Sequence, residues 1–160
     1  MAKGKNEELF DAWLGLKYGS LRPGEVITLP VLSGSMMPYL VPGKEIKIQS
    51  VSWSDCRPGT IIIYKEHNRL SAHRLLLRVN LFGTCYLYQK GDVNPYGHWI
   101  GADRVVGVVI ETHDANGHYI DFRTEEAKLT AKKCVRRQIA KDLLSRFLII
   151  PRSVKRMLKG

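Results

Sequence analysis

Short runs rich in apolar and β-branched residues, some of which alternate with polar ones, dominate the chain between residues 26 and 123. Alternation with a period of two is typical of β-strands that bury one face. Turn-forming pairs separate these runs, including Pro42-Gly43, Pro58-Gly59 and Asn116-Gly117. The predicted strands are VITLPVL (26–32), KEIKIQSV (44–51), TIIIY (60–64), LSAHRLLLRV (70–79), TCYLYQ (84–89), RVVGVVIE (104–111) and HYIDFR (118–123). The fold class that this pattern predicts is mainly β, a β-rich α+β protein without the strand-helix alternation of a parallel sheet.

Helical periodicity replaces this alternation near both ends of the chain. Towards the N-terminus, apolar residues at helical spacing predict a short amphipathic helix over residues 6–18, ended by Gly19 and Pro23. Towards the C-terminus, apolar residues four apart predict a second amphipathic helix that ends near Pro151. This second stripe consists of Val135, Ile139, Leu143 and Phe147. We therefore expect a β body over residues 1–123 and a helical segment over residues 124–160.

Positive charge is concentrated in the helical segment. Of the net charge of +10, residues 124–160 contribute +8, from 11 Lys and Arg against 3 Asp and Glu. Three interpretations are open: the helix packs on its own domain with a solvated basic face, it lies on a membrane surface, or it binds an acidic partner. Nucleic acid is not an expected partner, because no base-reading motif accompanies the charge.

Length, composition and cysteine content narrow the class of protein. The 160 residues suit one domain with its own core, and no apolar run approaches the roughly 20 residues of a membrane-spanning helix. The N-terminus carries acidic residues where a signal peptide would be apolar, so we expect a cytoplasmic protein. Cys56, Cys85 and Cys134 lack paired spacing and are expected to be reduced. Neither they nor the histidines show metal-ligand spacing, so we expect no metal and no other cofactor.

The stretch SGSMMPYL, residues 33–40, interrupts the strand pattern with a turn that carries two serines. Gly34 lets the backbone bend, and Pro38 biases Met37 away from helix. Ser35 is therefore expected on a turn at the end of a strand. A free serine hydroxyl is a weak nucleophile, so catalysis requires a neighbouring base, and a histidine base requires a third group that orients it.

The stretch RLSAHRLLLRV supplies a candidate base. If residues 70–79 form a strand, His73 lies on its apolar face, whereas Arg74 and Arg78 lie on the other face. The residues that share the face of His73 would be Ser71, Leu75, Leu77 and Val79. The loop QKGDVNPYGH, which follows the next strand, supplies Asp92 as a candidate orienting carboxylate.

Taken in order, five segments of the chain resemble the type I signal peptidase family: SGSMMP, PGTIIIY, AHR, QKGDVN and RVVGVV. The resemblance covers about residues 28–111, and the ordered set is more specific than any one segment. The β-rich catalytic domain of this family is shared with the self-cleaving LexA-like repressors. The resemblance therefore implies a signal-peptidase-like catalytic β domain, flanked here by the short N-terminal helix and the basic C-terminal helix.

The resemblance implies roles for the serine segment and for the histidine. Ser35 matches the family's nucleophile, and the Ser33 hydroxyl with the Ser35 backbone N–H would stabilise the oxyanion. Met36 belongs to the same substrate-binding segment. His73 stands immediately before the family's arginine, where most bacterial members have lysine, so the chain resembles the histidine-base branch.

The orienting carboxylate and the flanking residues depart from the family pattern. Asp92 is the family-matched partner for His73, and Asp103 is the second candidate. The histidine branch commonly has a further aspartate soon after this segment, but residues 93–98 contain none. Tyr39 replaces the usual threonine, and Lys44 replaces the common aspartate. The family's membrane anchor and export signal are also absent from the sequence, so the expected substrate need not be a secretory preprotein.

Two functions follow as hypotheses. The first is a signal-peptidase-like serine endopeptidase that cleaves a leader peptide or a protein tail with a Ser/His dyad or a Ser/His/Asp triad. Its peptide or protein substrate would bind in extended form along a strand edge. The alternative is a non-catalytic peptide-binding or adaptor module of the same fold, whose basic helix docks on a membrane surface or an acidic partner.

Overall fold

In the part of the chain that the structure describes, eight strands form one antiparallel sheet, and a long helix packs on it. The structure, a computed structural model, describes residues 21–66 and 69–148. The strands are β1 (Val26–Pro30), β2 (Glu45–Gln49), β3 (Ile61–Glu66), β4 (Arg69–Leu81), β5 (Thr84–Lys90), β6 (His98–Gly101), β7 (Val105–His113) and β8 (Tyr119–Asp121). Their order in the sheet is β1-β2-β7-β3-β4-β5-β6, and β8 pairs with β7. Helix α1 spans Glu125–Leu148, and short 3-10 turns occur at Trp53–Asp55 and Ala102–Arg104.

The predicted mainly β architecture is confirmed, and each of the seven predicted strands overlaps an observed strand. The eighth strand, β6, was not predicted, because its four residues HWIG follow a loop rich in proline and glycine and are too few to show alternation. The predicted N-terminal helix over residues 6–18 and the predicted helix end near Pro151 lie outside the described residues.

The two larger of the three core clusters are separated by the sheet. Ile61 and Ile63 belong to one cluster, and Ile62 and Tyr64 belong to the other. Successive side chains of a strand point to opposite faces, so β3 contributes to both. All four side chains are at most 2% exposed, which explains why this segment reads as a continuous apolar run.

A β-bulge in β4 changes which side chains share a face of this strand, so the predicted faces are wrong beyond it. The register passes from Leu75 opposite Gln89 to Leu77 opposite Tyr88, so Leu76 is an additional residue. Beyond the bulge the alternation is therefore shifted by one residue. The expectation that Leu77 shares a buried face with His73 was wrong: Leu77 is 40% exposed, whereas Leu76 is fully buried. Arg78 reaches the Ser54 carbonyl oxygen at 2.9 Å.

Helix α1 packs on the sheet through a mixed apolar and polar interface. Val135 lies in one cluster with Leu76 and Tyr88, and Ile139 packs against it. Tyr88 Oη donates to Asp142 Oδ2 at 2.8 Å, and Lys90 Nζ donates to Asp142 Oδ1. The helix thus packs on its own domain with basic residues outside, which was the first of the three interpretations of this segment.

The predicted apolar stripe of α1 is only partly covered. Leu143 is 52% exposed, although Val135 and Ile139 of the same stripe contact the sheet. The helix begins after Thr124, whose Oγ1 accepts from the Ala127 N–H at 3.2 Å. Within the described ranges, neither α1 nor the 3-10 turns have the length and apolar composition that a bilayer-spanning helix needs.

Asp142→Ala is expected to lower the free energy of unfolding by about 3–5 kcal/mol, because it leaves the buried Lys90 ammonium without its carboxylate. The measurement is urea unfolding followed by circular dichroism. Glu125→Ala removes an ion pair with Lys128 in which the carboxylate is 84% exposed, and this control should cost less than about 1 kcal/mol. An equally small loss in both variants would contradict a role for Asp142 in securing α1.

Candidate active site

A cleft of about 610 Å³ lies beside the first half of β4. Its walls come from the end of β1 and the following turn, from β4, and from the loop after β5. The aliphatic residues of its lining include Leu29, Val31, Leu32, Leu40, Ile46, Ile63 and Leu70. The polar and charged residues of the lining are Ser33, Ser35, Glu66, Arg69, Ser71, His73 and Asn94. The cleft therefore combines an apolar surface with a few polar groups, as ligand sites commonly do.

The turn that carries Ser35 is fixed by its own buried residues. Met36 and Leu40 are each 1% exposed, and the Leu40 N–H donates to the Met36 carbonyl oxygen at 3.0 Å. The Met37–Pro38 peptide bond is cis. Ser33 Oγ lies 3.4 Å from Ser35 Oγ, so the two hydroxyls are neighbours at the mouth of the cleft.

The loop after β5 packs directly on the backbone of Ser35. The Val93 N–H donates to the Ser35 carbonyl oxygen at 3.2 Å. A Cβ atom on Gly91 would lie 2.8 Å from the same oxygen and 2.7 Å from Asn94 Nδ2, so only glycine permits this approach. No residue in the described ranges accepts a hydrogen bond from the Ser35 backbone N–H. Ser35 is one of the residues that line the cleft.

His73 is held by a tyrosine and a glutamine. Its Nδ1 lies 3.0 Å from Tyr64 Oη and 2.5 Å from Gln89 Oε1. With its amide oxygen facing the ring, Gln89 accepts from the Nδ1–H of neutral His73, and Nε2 then keeps its lone pair. This is the tautomer that a general base needs.

The surroundings of His73 disfavour its protonation. Burial lowers the pKa of His73 below its ordinary value of 6.5, and the hydrogen bond to Gln89 opposes this shift only in part. Gln89 itself is 1% exposed, and its Nε2 has no partner among the residues that the structure describes. The imidazole is thus neutral at neutral pH and is oriented by an uncharged group.

Neither predicted carboxylate is the observed partner of His73 Nδ1. Asp92 accepts from Arg74 Nε at 2.9 Å and from Arg74 Nη2 at 2.6 Å. Its Oδ1 also accepts from Gln138 Nε2 of α1 at 2.9 Å. Asp103 is exposed in the 3-10 turn after β6, next to Gly101, and is not among the residues that line the cleft. Asp92 therefore contacts the arginine beside the candidate base instead of the base itself.

Helix α1 also touches the turn that carries Ser35. Tyr39 Oη lies 3.4 Å from Cys134 Sγ, and this contact together with burial raises the pKa of Tyr39 to about 12. The Arg74 guanidinium lies 4.9 Å from the centre of the Tyr39 ring. Through Cys134 and Gln138, α1 thus contacts both the serine turn and the Asp92 loop.

The structure brings together some of the predicted site residues and adds others. Ser33, Ser35 and His73 line one cleft, and Met36 lines it from a buried position. Gln89 and Tyr64 were not predicted, because each belongs to a neighbouring strand and only the pairing places it beside His73. Tyr64 lies opposite Ser71 on β4, two residues from His73. Strand registers are long-range information that a single sequence does not display.

Comparison with known protein families, curated proteins and solved structures finds no match to this chain.

Gln138→Ala is expected to loosen the Asp92 loop where it contacts Ser35. Loss of a hydrogen bond worth about 1 kcal/mol should accelerate amide exchange at Val93 by about fivefold. Hydrogen exchange followed by NMR measures this rate, with Lys141→Ala on the exposed side of α1 as the control. Unchanged Val93 exchange in Gln138→Ala would show that α1 does not support the loop.

The pKa of His73, measured by NMR titration of its imidazole, is expected below 6.5. Gln89→Glu should raise it, because a carboxylate stabilises the imidazolium. The control Gln49→Glu makes the same chemical change on β2 and should leave the pKa of His73 unaltered. The contribution of neutral His73 to stability should be complete above pH 6.5 and be lost as the pH falls through the lower folded value. A pKa at or above 6.5 would contradict this account.

Proposed function

We propose that the protein is a serine endopeptidase of the signal-peptidase-like type, with Ser35 as nucleophile and His73 as general base. The observation that carries the proposal is that both side chains line one cleft, with Gln89 Oε1 placed to accept from a protonated His73 Nδ1. His73 Nε2 then has the lone pair that must accept the Ser35 proton. The order of SGSMMP, AHR and QKGDVN along the chain supports the same assignment by resemblance.

The reaction begins with attack of Ser35 Oγ on the scissile carbonyl carbon while His73 Nε2 accepts the hydroxyl proton. The carbonyl oxygen becomes negatively charged, and the Ser35 backbone N–H and the Ser33 hydroxyl donate to it. The carbon–nitrogen bond then breaks, and His73 returns its proton to the leaving amine. Water next attacks the acyl-enzyme, gives its proton to His73, and releases the carboxylic acid and the Ser35 hydroxyl.

The substrate is an extended peptide that lies along the free edge of β4. Residues 69–73 of β4 pair with β3, whereas pairing with β5 begins only at Arg74. The other edge of this segment therefore has no strand partner among the described residues. Backbone groups of an added peptide strand can pair there, and alternate side chains enter the aliphatic part of the cleft.

The partner of His73 in this site is the neutral amide of Gln89, whereas the histidine of a Ser/His/Asp triad has a charged carboxylate as its partner. A neutral amide orients the imidazole but stabilises the imidazolium less than a carboxylate does. Activity is therefore expected to fall only when the pH drops below the ordinary histidine range, since burial lowers the pKa of His73.

The neutral partner of His73 also favours a second candidate function, a peptide-binding module without turnover. In that case the free β4 edge still binds an extended peptide, but Ser35 is not acylated. The two functions differ in the fate of the bound peptide, which a mass spectrum reports directly.

Ser35→Ala is expected to reduce peptide cleavage about a thousandfold or more while leaving the thermal midpoint almost unchanged, because it removes the attacking oxygen. Cleavage is measured by mass spectrometry on a library of extended peptides. Ser54→Ala removes an exposed hydroxyl outside the cleft and is the matched control. Cleavage by Ser35→Ala at the wild-type rate would refute the enzyme, and peptide binding without any cleavage by wild type would favour the binding module.

A further inference from the structure

One face of β4, β5 and β6 carries large apolar side chains that remain partly or fully exposed. We call this set the apolar face. Its members are Leu77 (40% exposed), Leu81 (51%), Tyr86 (39%) and Trp99 (51%), with Phe82 (106%) at the tip of the β4–β5 hairpin. Large apolar surfaces that remain exposed in a folded protein commonly mark interaction sites.

The strand register places these side chains on one side of the sheet. Leu77 lies opposite Tyr88, and Tyr88 lies opposite Trp99. In an antiparallel pair, residues directly opposite each other share a face. Tyr86, two residues from Tyr88 along β5, lies on that face as well. The exposed residues therefore form one surface.

The tip of the β4–β5 hairpin combines an unfavourable backbone conformation with an exposed aromatic side chain. Phe82 adopts a positive φ of 48°, a conformation that is costly for a bulky residue, and its side chain is fully exposed. Residues 79–89, VNLFGTCYLYQ, include no charged side chain. A protruding, uncharged and aromatic hairpin is suited to an apolar environment.

Helix α1 places positive charge on the same side of the sheet. It packs on Tyr88, whose hydroxyl binds Asp142, and Tyr88 belongs to the same face as Leu77 and Trp99. The exposed cations of α1 are Lys128, Lys132, Lys133, Arg136, Arg137 and Lys141. The acidic groups on this side are fewer: Asp142 is paired with Lys90, Asp92 is paired with Arg74, Glu125 and Glu126 stand at the start of the helix, and Asp103 lies next to Gly101 at the β6 end.

We propose that the apolar face and helix α1 together dock the protein on an anionic lipid bilayer. Leu81 and Phe82 enter the acyl boundary, Tyr86 and Trp99 lie at the level of the headgroups, and the α1 cations face anionic lipid. Lipid fits better than an acidic protein, because the hairpin tip exposes Leu81 and Phe82 and carries no charged side chain, and the cations are spread along a helix. The proposal does not depend on catalysis by Ser35.

The test is flotation of the full chain with vesicles of phosphatidylcholine containing about a third phosphatidylserine, and with pure phosphatidylcholine vesicles. Binding is expected to the anionic vesicles and to weaken with salt. Leu81→Ser with Phe82→Asn should lower the partition coefficient about tenfold or more, since asparagine tolerates a positive φ while both apolar groups are lost. Val26→Ser, at an exposed apolar position on β1, should leave partitioning unchanged.

A second pair of variants in the same flotation experiment tests the cationic part of the surface. Lys133→Glu with Arg137→Glu on α1 should also weaken binding about tenfold or more, whereas Lys44→Glu with Lys65→Glu makes the same change in net charge elsewhere and should have a smaller effect. Absence of binding to anionic vesicles would overturn the proposal. Binding that depends on α1 but not on Leu81 and Phe82 would indicate a polyanion site instead. A dimer in sedimentation that the hairpin variant dissociates would assign the face to a second copy.

Discussion

The buried ion pair between Arg74 and Asp92 is the interaction on which the candidate site depends. The two side chains are 2% and 8% exposed, so each needs further partners to offset the loss of water. Arg74 also donates to the Gly59 carbonyl oxygen, and Asp92 accepts from Gln138 of α1. The pair joins β4, the loop after β5 and the helix at one point. Removal of either ion would leave the other buried and unpaired, at a cost of about 3–5 kcal/mol.

This junction explains how residues distant in sequence come to share a cleft. Arg74 directly follows His73 on β4, and Asp92 lies between Gly91 and Val93, the residues that contact the Ser35 backbone. Fixing the ion pair therefore fixes the base relative to the segment that supports the nucleophile. Asp92 was expected to orient the imidazole. In this structure Asp92 binds Arg74 and Gln138, and the amide of Gln89 contacts the imidazole instead.

The sequence predicted the elements of the fold better than the partners within the site. Local runs of apolar and β-branched residues between turn signals identified seven strands, but the bulge at Leu76 reversed the predicted side of Leu77. Ser35 and His73 were identifiable because the resemblance lies in short contiguous segments. The Gln89 contact and the Gln138 contact depend on strand pairing and helix packing, and no local pattern of residues specifies either of them.

The central claim is that Ser35 and His73 act on one carbonyl, and a crystal structure with a peptide boronic acid tests it most directly. The account predicts a covalent bond from Ser35 Oγ to boron, with His73 Nε2 and the Ser35 backbone N–H about 2.6–3.2 Å from the boronate oxygens. A boronate bound away from Ser35, or attached to Ser35 with His73 Nε2 directed elsewhere, would contradict it.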